Sequence, residues 1–208
     1  MPKVLILNGS PHPKGCTWRA LEEARRTLEE EGIQTELLHV GNKPTRGCAS
    51  CDACGKLGRC VFEDQVNEIA PKFREADGLI IGSPVYYGSP NGGFLALLDR
   101  LFYSTPFSKH MKLGAAVVSC RRGGNTASFD VLNKYFTISG MPVVSSTYWN
   151  QVHGFTAADV EKDLEGLQTM RNLARNMAFL LRAVQAEEAR TGLPQVEKGS
   201  FTSFPDGL

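Results

Sequence analysis

Residues 76–102 read ADGLIIGSPVYYGSPNGGFLALLDRLF. Gly78–Val85 within it is an apolar run without polar alternation, the pattern of a parallel strand buried on both faces. Pro84, Gly88, Pro90 and the Gly92-Gly93 pair punctuate the stretch, after which Phe94, Leu95, Leu98, Leu101 and Phe102 recur at helical spacing. A buried strand that hands over to a helix through a Gly/Pro loop is one unit of a parallel α/β sheet.

The same unit recurs outward from this stretch. Upstream, Lys3–Leu7 (KVLIL) closes on Asn8-Gly9-Ser10-Pro11, and Trp18, Leu21, Ala24 and Leu28 stripe a helix over Thr17–Glu31. Thr35–Val40 is a second, less apolar strand, suited to an edge. Asp64 is placed to cap a helix with Val66, Ile69, Ala70 and Phe73 inward. Downstream, Leu113–Ser119 (LGAAVVS) is a fourth strand, and Val131, Leu132, Tyr135 and Phe136 mark a helix stopping near Gly140. Pro142–Tyr148 is expected to be the fifth strand and Val160 to Val184 a long last helix. Five such strands fit a doubly wound sheet, and two orders compete for it. No G-x-G-x-x-G and no G-x-x-x-x-G-K-[ST] run is present, so the flavodoxin-like order 2-1-3-4-5 is expected, with helices on both faces in a three-layer sandwich.

Composition narrows the function. The chain has 208 residues, with 23 Lys+Arg against 22 Asp+Glu and a formal net charge of +1, 42% hydrophobic and 22% charged. That is ordinary globular usage, with no electrostatic reason to expect a nucleic acid or an anionic membrane as partner. The longest apolar stretch, Leu113 to Val118, is too short to span a bilayer, and the N-terminus does not read as a signal peptide, so a cytoplasmic protein is expected. One domain over residues 1–190 and a tail over 191–208 are expected. Phe201 and Phe204 in that Gly/Pro/Ser-rich tail suggest packing on another subunit, in a homodimer or homotetramer. The Leu164, Leu167, Met170, Leu173, Met177 and Leu180 stripe belongs to core or interface.

In a 2-1-3-4-5 sheet the ligand lies beyond the carboxyl ends of the central strands. Three unusual loops end there. Gly9-Ser10-Pro11-His12-Pro13-Lys14-Gly15-Cys16-Thr17 leads straight into a helix, offering backbone N–H groups and hydroxyls to a phosphate. Ser83-Pro84-Val85-Tyr86-Tyr87-Gly88-Ser89-Pro90 offers rings and backbone to a flat aromatic ligand. Ser119-Cys120-Arg121-Arg122-Gly123-Gly124-Asn125 offers close backbone approach and an arginine fork. Phosphate site, aromatic wall and polar edge together suit flavin mononucleotide (FMN), whose ring system carries electrons without a protein nucleophile. A phosphatase on the same sheet would need an arginine six positions after its cysteine, but Glu22 follows Cys16 and Thr126 follows Cys120 at that spacing. His39 in the edge strand is expected to be structural, His153 a loop residue, and His110 remote from the site.

Cys48, Cys51, Cys54 and Cys60 follow C-x2-C-x2-C-x5-C. Tight runs of this kind suit an iron–sulfur cluster. Zinc is also chemically open, and so is a loop of free or oxidised thiols. Cys120, after a buried strand, reads as a small packed residue.

At LILNGSPHPKGCT, CASCDACGKLGRC, ADGLIIGSPVYYGSPNGGFLALLDRLF, SCRRGG and GLQTMRNLARNMAFLL the chain resembles the NAD(P)H-dependent FMN reductase family of flavodoxin-like proteins, particularly its iron–sulfur flavoprotein branch. The similarity runs from residue 1 to about 182. It implies that Ser10, His12, Gly15, Cys16 and Thr17 surround the FMN phosphate. Pro84, Val85, Tyr86, Tyr87 and Gly88 would line the isoalloxazine, with Ser119, Arg121, Gly123 and Gly124 at its polar edge. Cys16 stands where the family usually has Asn, which removes a good side-chain donor. The activity implied is NAD(P)H-dependent reduction of a quinone, a flavin or another small electron acceptor. With a cluster on the four cysteines, the chain would instead be an FMN/iron–sulfur electron carrier.

Overall fold

The structure is a computed structural model that describes residues 1–197, 199, 200 and 202. Its elements in chain order are β1 (Lys3–Asn8), α1 (Cys16–Glu30), β2 (Gln34–His39), α2 (Cys54–Leu57), α3 (Gln65–Glu75), β3 (Gly78–Tyr86) and β4 (Ser89–Pro90). They continue with α4 (Gly92–Ser104), β5 (Leu113–Cys120), α5 (Asn125–Thr137), β6 (Gln151–His153), α6 (Ala157–Val160) and α7 (Leu164–Thr191). The parallel strands lie in the order β2-β1-β3-β5-β6, and β4 pairs antiparallel with the end of β3. Counting only the parallel strands, this is the expected order 2-1-3-4-5.

Side-chain alternation explains why the central strands are apolar throughout. Val4, Ile6, Ile80, Ala115 and Val117 face one core, closed by Leu21 and Leu28 of α1 and Met170, Leu173 and Met177 of α7. Their neighbours Leu5, Leu7, Leu79, Ile81, Ala116 and Val118 face the other, closed by Phe73 of α3, Leu97, Leu98 and Leu101 of α4, and Leu132 and Phe136 of α5. Successive residues of a strand point to opposite faces, so a sheet covered on both sides admits no polar face. Asp64 caps α3 as expected, accepting a hydrogen bond from the Val66 N–H at 3.1 Å.

Three expectations need correction. The fifth strand is Gln151–His153 rather than Pro142–Tyr148. The earlier stretch joins the sheet by a single bridge, Gly114 with Val143, and between them the chain bows outward, leaving Tyr148 and Trp149 half exposed. An edge strand has one neighbour only, so it can detach between anchored ends. The long last helix is broken at residues 161–163, where Asp163 caps α7 through the Gly166 N–H, and it runs on to Thr191. The buried stripe of α4 is Phe94, Leu97, Leu98, Arg100, Leu101 and Ser104, centred one residue away from the expected one and containing a charge. Leu164 is 73% exposed at the start of the α7 stripe, whose other members turn inward apart from Leu180. Phe201 and Phe204 lie outside the described residues.

Candidate functional site

The C-terminal ends of β1, β3, β5 and β6 surround a cleft of about 410 Å³, within the range of small-molecule sites. Its lining holds ten of the fourteen expected residues: Ser10, His12, Gly15, Cys16, Thr17, Pro84, Val85, Tyr86, Ser119 and Arg121. Cys120, Gly154 and Phe155 complete it.

One end of the cleft is built for an anion. Gly15 caps α1 with no side-chain hydrogen bond, and the first turn carries no acidic residue. The first-turn N–H groups therefore stay available, at the positive end of the helix dipole. Beside them the Thr17 and Ser119 hydroxyls lie 2.8 Å apart, both buried. The loop before α1 is held from below. The Asn8 carboxamide oxygen accepts from the Ser10 N–H at 3.0 Å, and the Ser10 hydroxyl accepts from the His12 N–H at 3.2 Å. His39 Nε2 lies 2.8 Å from the Ser10 carbonyl, so this edge-strand histidine supports the loop. From α4, Asn91 Nδ2 donates to the Gly9 carbonyl at 2.7 Å.

The other end offers flat surface. Pro84, Val85 and Tyr86 form one wall, and Phe155, 78% exposed, stands at the rim. Tyr86 pairs with Ser89, so Tyr87-Gly88 is a two-residue hairpin turn. Tyr87 takes φ 57°, rare for a bulky side chain, and its ring is fully in solvent. The adjacent tyrosines thus divide, with Tyr86 at the cleft and Tyr87 outside.

Tyr87, Gly88, Gly123 and Gly124 do not line the cleft. Gly124, at φ 83°, has a docking role instead. A Cβ there would stand 2.8 Å from Val85 Cγ1 and 3.1 Å from Gly88 Cα, so only glycine lets the β5–α5 loop pack on the hairpin. Gly154 and Phe155 are not legible from the sequence pattern, because residues 142–148 carry the apolar strand signal while the strand that leads into them is only Gln151–His153. The loop after any last strand of such a sheet also reaches the ligand edge, and that was the available signal.

The two cleft thiols are held neutral. Burial pushes the Cys16 thiol up, and it donates to the Gly154 carbonyl at 3.5 Å, tying α1 to the loop after β6. Burial, with Asp163 nearby, pushes Cys120 up as well. Asp163 accepts from the His153 N–H at 2.6 Å and lies 3.6 Å from its Nδ1, so His153 is anchored away from the cleft. His110 lines a separate cavity at the opposite end of the sheet.

The four clustered cysteines line one small cavity of about 20 Å³, walled also by Arg100, Tyr103 and Ser104 of α4. Cys48 and Cys51 are exposed, Cys54 is half-buried and Cys60 is buried. Ser50 and Asp52, on either side of Cys51, take φ 49° and 51° and wind the arm tightly. Asn67 clamps Cys60, accepting from its N–H at 3.1 Å and donating to its carbonyl at 3.0 Å. Among the described residues, no three His, Cys, Asp or Glu side chains converge on a point that a single ion would fill. Four thiols around one cavity supply the donor set of a metal–sulfur group, and a cavity this small would admit one only with the exposed arm opened. Asn91, at the start of α4, supports the cleft, while Tyr103, twelve residues on, walls the thiols. At 1.5 Å per residue, Asn91 and Tyr103 stand about 18 Å apart along the α4 axis.

This strand order, with an anion-ready cleft where the order reverses, defines a flavodoxin-like α/β protein. A model of the NADPH-dependent FMN reductase family matches residues 2–156. The chain belongs to that family. It is similar to an iron-sulfur flavoprotein of Methanocaldococcus jannaschii, 34% identical over 194 residues that cover 88% of this chain and 99% of that one. An iron-sulfur flavoprotein of Methanosarcina thermophila is 30% identical over 187 residues, 88% of this chain and 97% of the other. In fold the chain resembles RosB, solved with 8-demethyl-8-formylriboflavin-5'-phosphate, with a TM-score of 0.71, 18% identity and coverage of 97% and 91%. It also resembles an NADH:FMN oxidoreductase in its apo form, with a TM-score of 0.64, 18% identity and coverage of 86% and 89%.

Proposed function

We propose that the strand-end cleft binds FMN and that the chain is an FMN-dependent oxidoreductase taking electrons from NADH or NADPH. The observation that carries this reading is the buried Thr17–Ser119 hydroxyl pair beside an uncapped helix start. Ser10, Gly15, Cys16, Thr17 and Ser119 would hold the phosphate, with His12 over the loop. Pro84, Val85, Tyr86 and Phe155 would flank the ring system, with Arg121 at its polar edge. Bound there, FMN supplies hydride acceptance and return of the electrons singly or in pairs. The chain's own part is to orient the ring system on a rigid strand-end platform. Phe155 is 78% exposed at the rim, the side from which a nicotinamide and then a quinone, a flavin or another small acceptor would approach.

The test is titration of the purified apoprotein with FMN and with riboflavin, followed by anaerobic addition of NADH or NADPH. Failure to bind FMN, or flavin bands that neither nucleotide bleaches, would remove the reading. Thr17→Val keeps the shape and deletes one donor. A hydrogen bond to a charged group contributes about 1.5–3 kcal/mol, so FMN should bind roughly 10- to 100-fold more weakly. Riboflavin, lacking the phosphate, should lose little. Equal losses for both ligands would place the phosphate elsewhere.

The cysteine cavity favours a second reading, in which Cys48, Cys51, Cys54 and Cys60 hold an iron–sulfur cluster and the chain is an FMN/iron–sulfur electron carrier. Similarity to proteins named iron-sulfur flavoproteins supports it. A cluster there would exchange single electrons with partners. Cys60 would be its fixed ligand and the Cys48–Cys54 arm its adjustable side. Anaerobically purified Cys60→Ser should lose most of its iron and keep its flavin. Equal and near-zero iron in the wild type and the variant would favour the nicotinamide-linked reductase without a cluster. Assembly as a homodimer or homotetramer belongs to the same proposal, and light scattering of the full chain measures it.

A further inference from the structure

We propose that Arg100 is a positioning residue for the cysteine site, whose buried charge holds Cys60 Sγ and raises the reduction potential of the group on the four thiols. The proposal rests on the cluster reading above. Arg100 is 1% exposed in the middle of the buried face of α4. Its Nε and Nη2 lie 3.3 and 3.1 Å from Cys60 Sγ, two donors forked onto one sulfur. The rest of the guanidinium is fully engaged. Nη1 reaches Asp64 Oδ2 at 2.6 Å and Nη2 reaches Oδ1 at 3.0 Å, while the Phe62 and Arg46 carbonyls accept at 3.3 and 3.4 Å.

A cation buried in an apolar helix face loses its hydration, and packing alone would favour leucine there. Asp64 answers the charge but not the aim of Nε, which points at sulfur. Of the four thiols only Cys60 is buried, so it alone sits where a charge is weakly screened. Hydrogen bonds to cluster sulfurs and nearby charge set such potentials. Adding an electron to a thiolate-held group adds negative charge, and a fixed cation beside one ligand favours that state.

Two variants keep the test independent of folding. Arg100→Lys retains the charge and loses the fork. Arg100→Met combined with Asp64→Asn removes both charges and keeps a side chain able to cap α3. Iron, acid-labile sulfide and bound flavin are measured on anaerobically purified protein, and both midpoint potentials are then read in one dye-equilibrated titration. The double variant should shift the one-electron equilibrium of the cluster at least tenfold toward the oxidised form, about 59 mV, with a smaller shift for Arg100→Lys and an unmoved flavin potential. An unmoved cluster potential in both variants overturns the proposal and leaves the cluster reading intact. So do equal shifts of the cluster and flavin potentials. Should one variant purify without iron, the potential is read on the other. Iron lost from both while flavin stays bound would make Arg100 a fold element only and overturn the proposal. Wild-type protein that binds FMN but holds neither iron nor sulfide overturns the cluster reading and the proposal with it.

Discussion

Asp64→Ala is expected to destabilise the chain by about 4 kcal/mol, a large part of the 5–15 kcal/mol that holds a typical domain folded. Two losses add. The carboxylate caps α3 through the Val66 N–H, and loss of such a cap costs about 1 kcal/mol. It is also the counter-ion of Arg100, whose guanidinium would remain buried with its charge unanswered. Breaking one side of a buried pair costs about 3–5 kcal/mol, and the lower end applies because the Asp64 side chain is 27% exposed. Asp64→Asn separates the two losses, since asparagine caps as well as aspartate and carries no charge. Urea unfolding of the three proteins is the measurement. A difference of under about 1 kcal/mol between wild type and Asp64→Asn would mean that solvent already neutralises the pair.

Gly41→Ala is expected to cost roughly 100-fold or more in FMN affinity while leaving the sheet in place. Gly41 follows β2, and its N–H bonds the Asn8 carbonyl at 3.2 Å. A Cβ there would stand 2.3 Å from the Gly9 carbonyl oxygen and 2.4 Å from that of Ser10. Both atoms belong to the backbone of the proposed phosphate loop, so no side chain can rotate away. The loop cannot retreat either. The Phe94 ring packs so closely behind Gly9 that a Cβ on Gly9 would lie 2.3 Å from it, and Asn91 grips the Gly9 carbonyl. The loop must move off its line with α1. Overpacking should also cost about 1–3 kcal/mol of stability. Gly47→Ala, with nothing within 4 Å of its added carbon, is the control and should change neither property. Unaltered FMN affinity in Gly41→Ala would show that the loop's present shape is not what binds the phosphate.

The two sites differ in how openly the residues announce them. The loops that carry Ser10, Thr17, Pro84, Tyr86 and Ser119 were legible because strand order sends the ends of β1, β3 and β5 to one edge, while the choice of residues within them came from the family resemblance. Gly88, Gly123 and Gly124 were drawn into the same list by sitting in the same loops. In space, Gly124 is a packing position for the hairpin and lies off the cleft. Cys48, Cys51, Cys54 and Cys60 announced themselves by spacing, whereas Arg100 did not. An arginine one residue off an apolar stripe looks like a solvated flank until the other elements are placed.

Hydrophobic periodicity determined the layered α/β architecture, and the absence of a dinucleotide or P-loop fingerprint chose between two strand orders and so fixed the edge at which a ligand would sit. These follow from local rules: a strand buried on both faces must be apolar throughout, and a crossover helix must return over the sheet. Tertiary structure alone decided which tyrosine faces the cleft, where the last strand rejoins the sheet, that His39 braces the loop after β1, and that Arg100 turns inward to Cys60. Each of those outcomes depends on contacts between residues far apart in the chain, through carbonyls, ring faces and a sulfur whose positions no local pattern encodes.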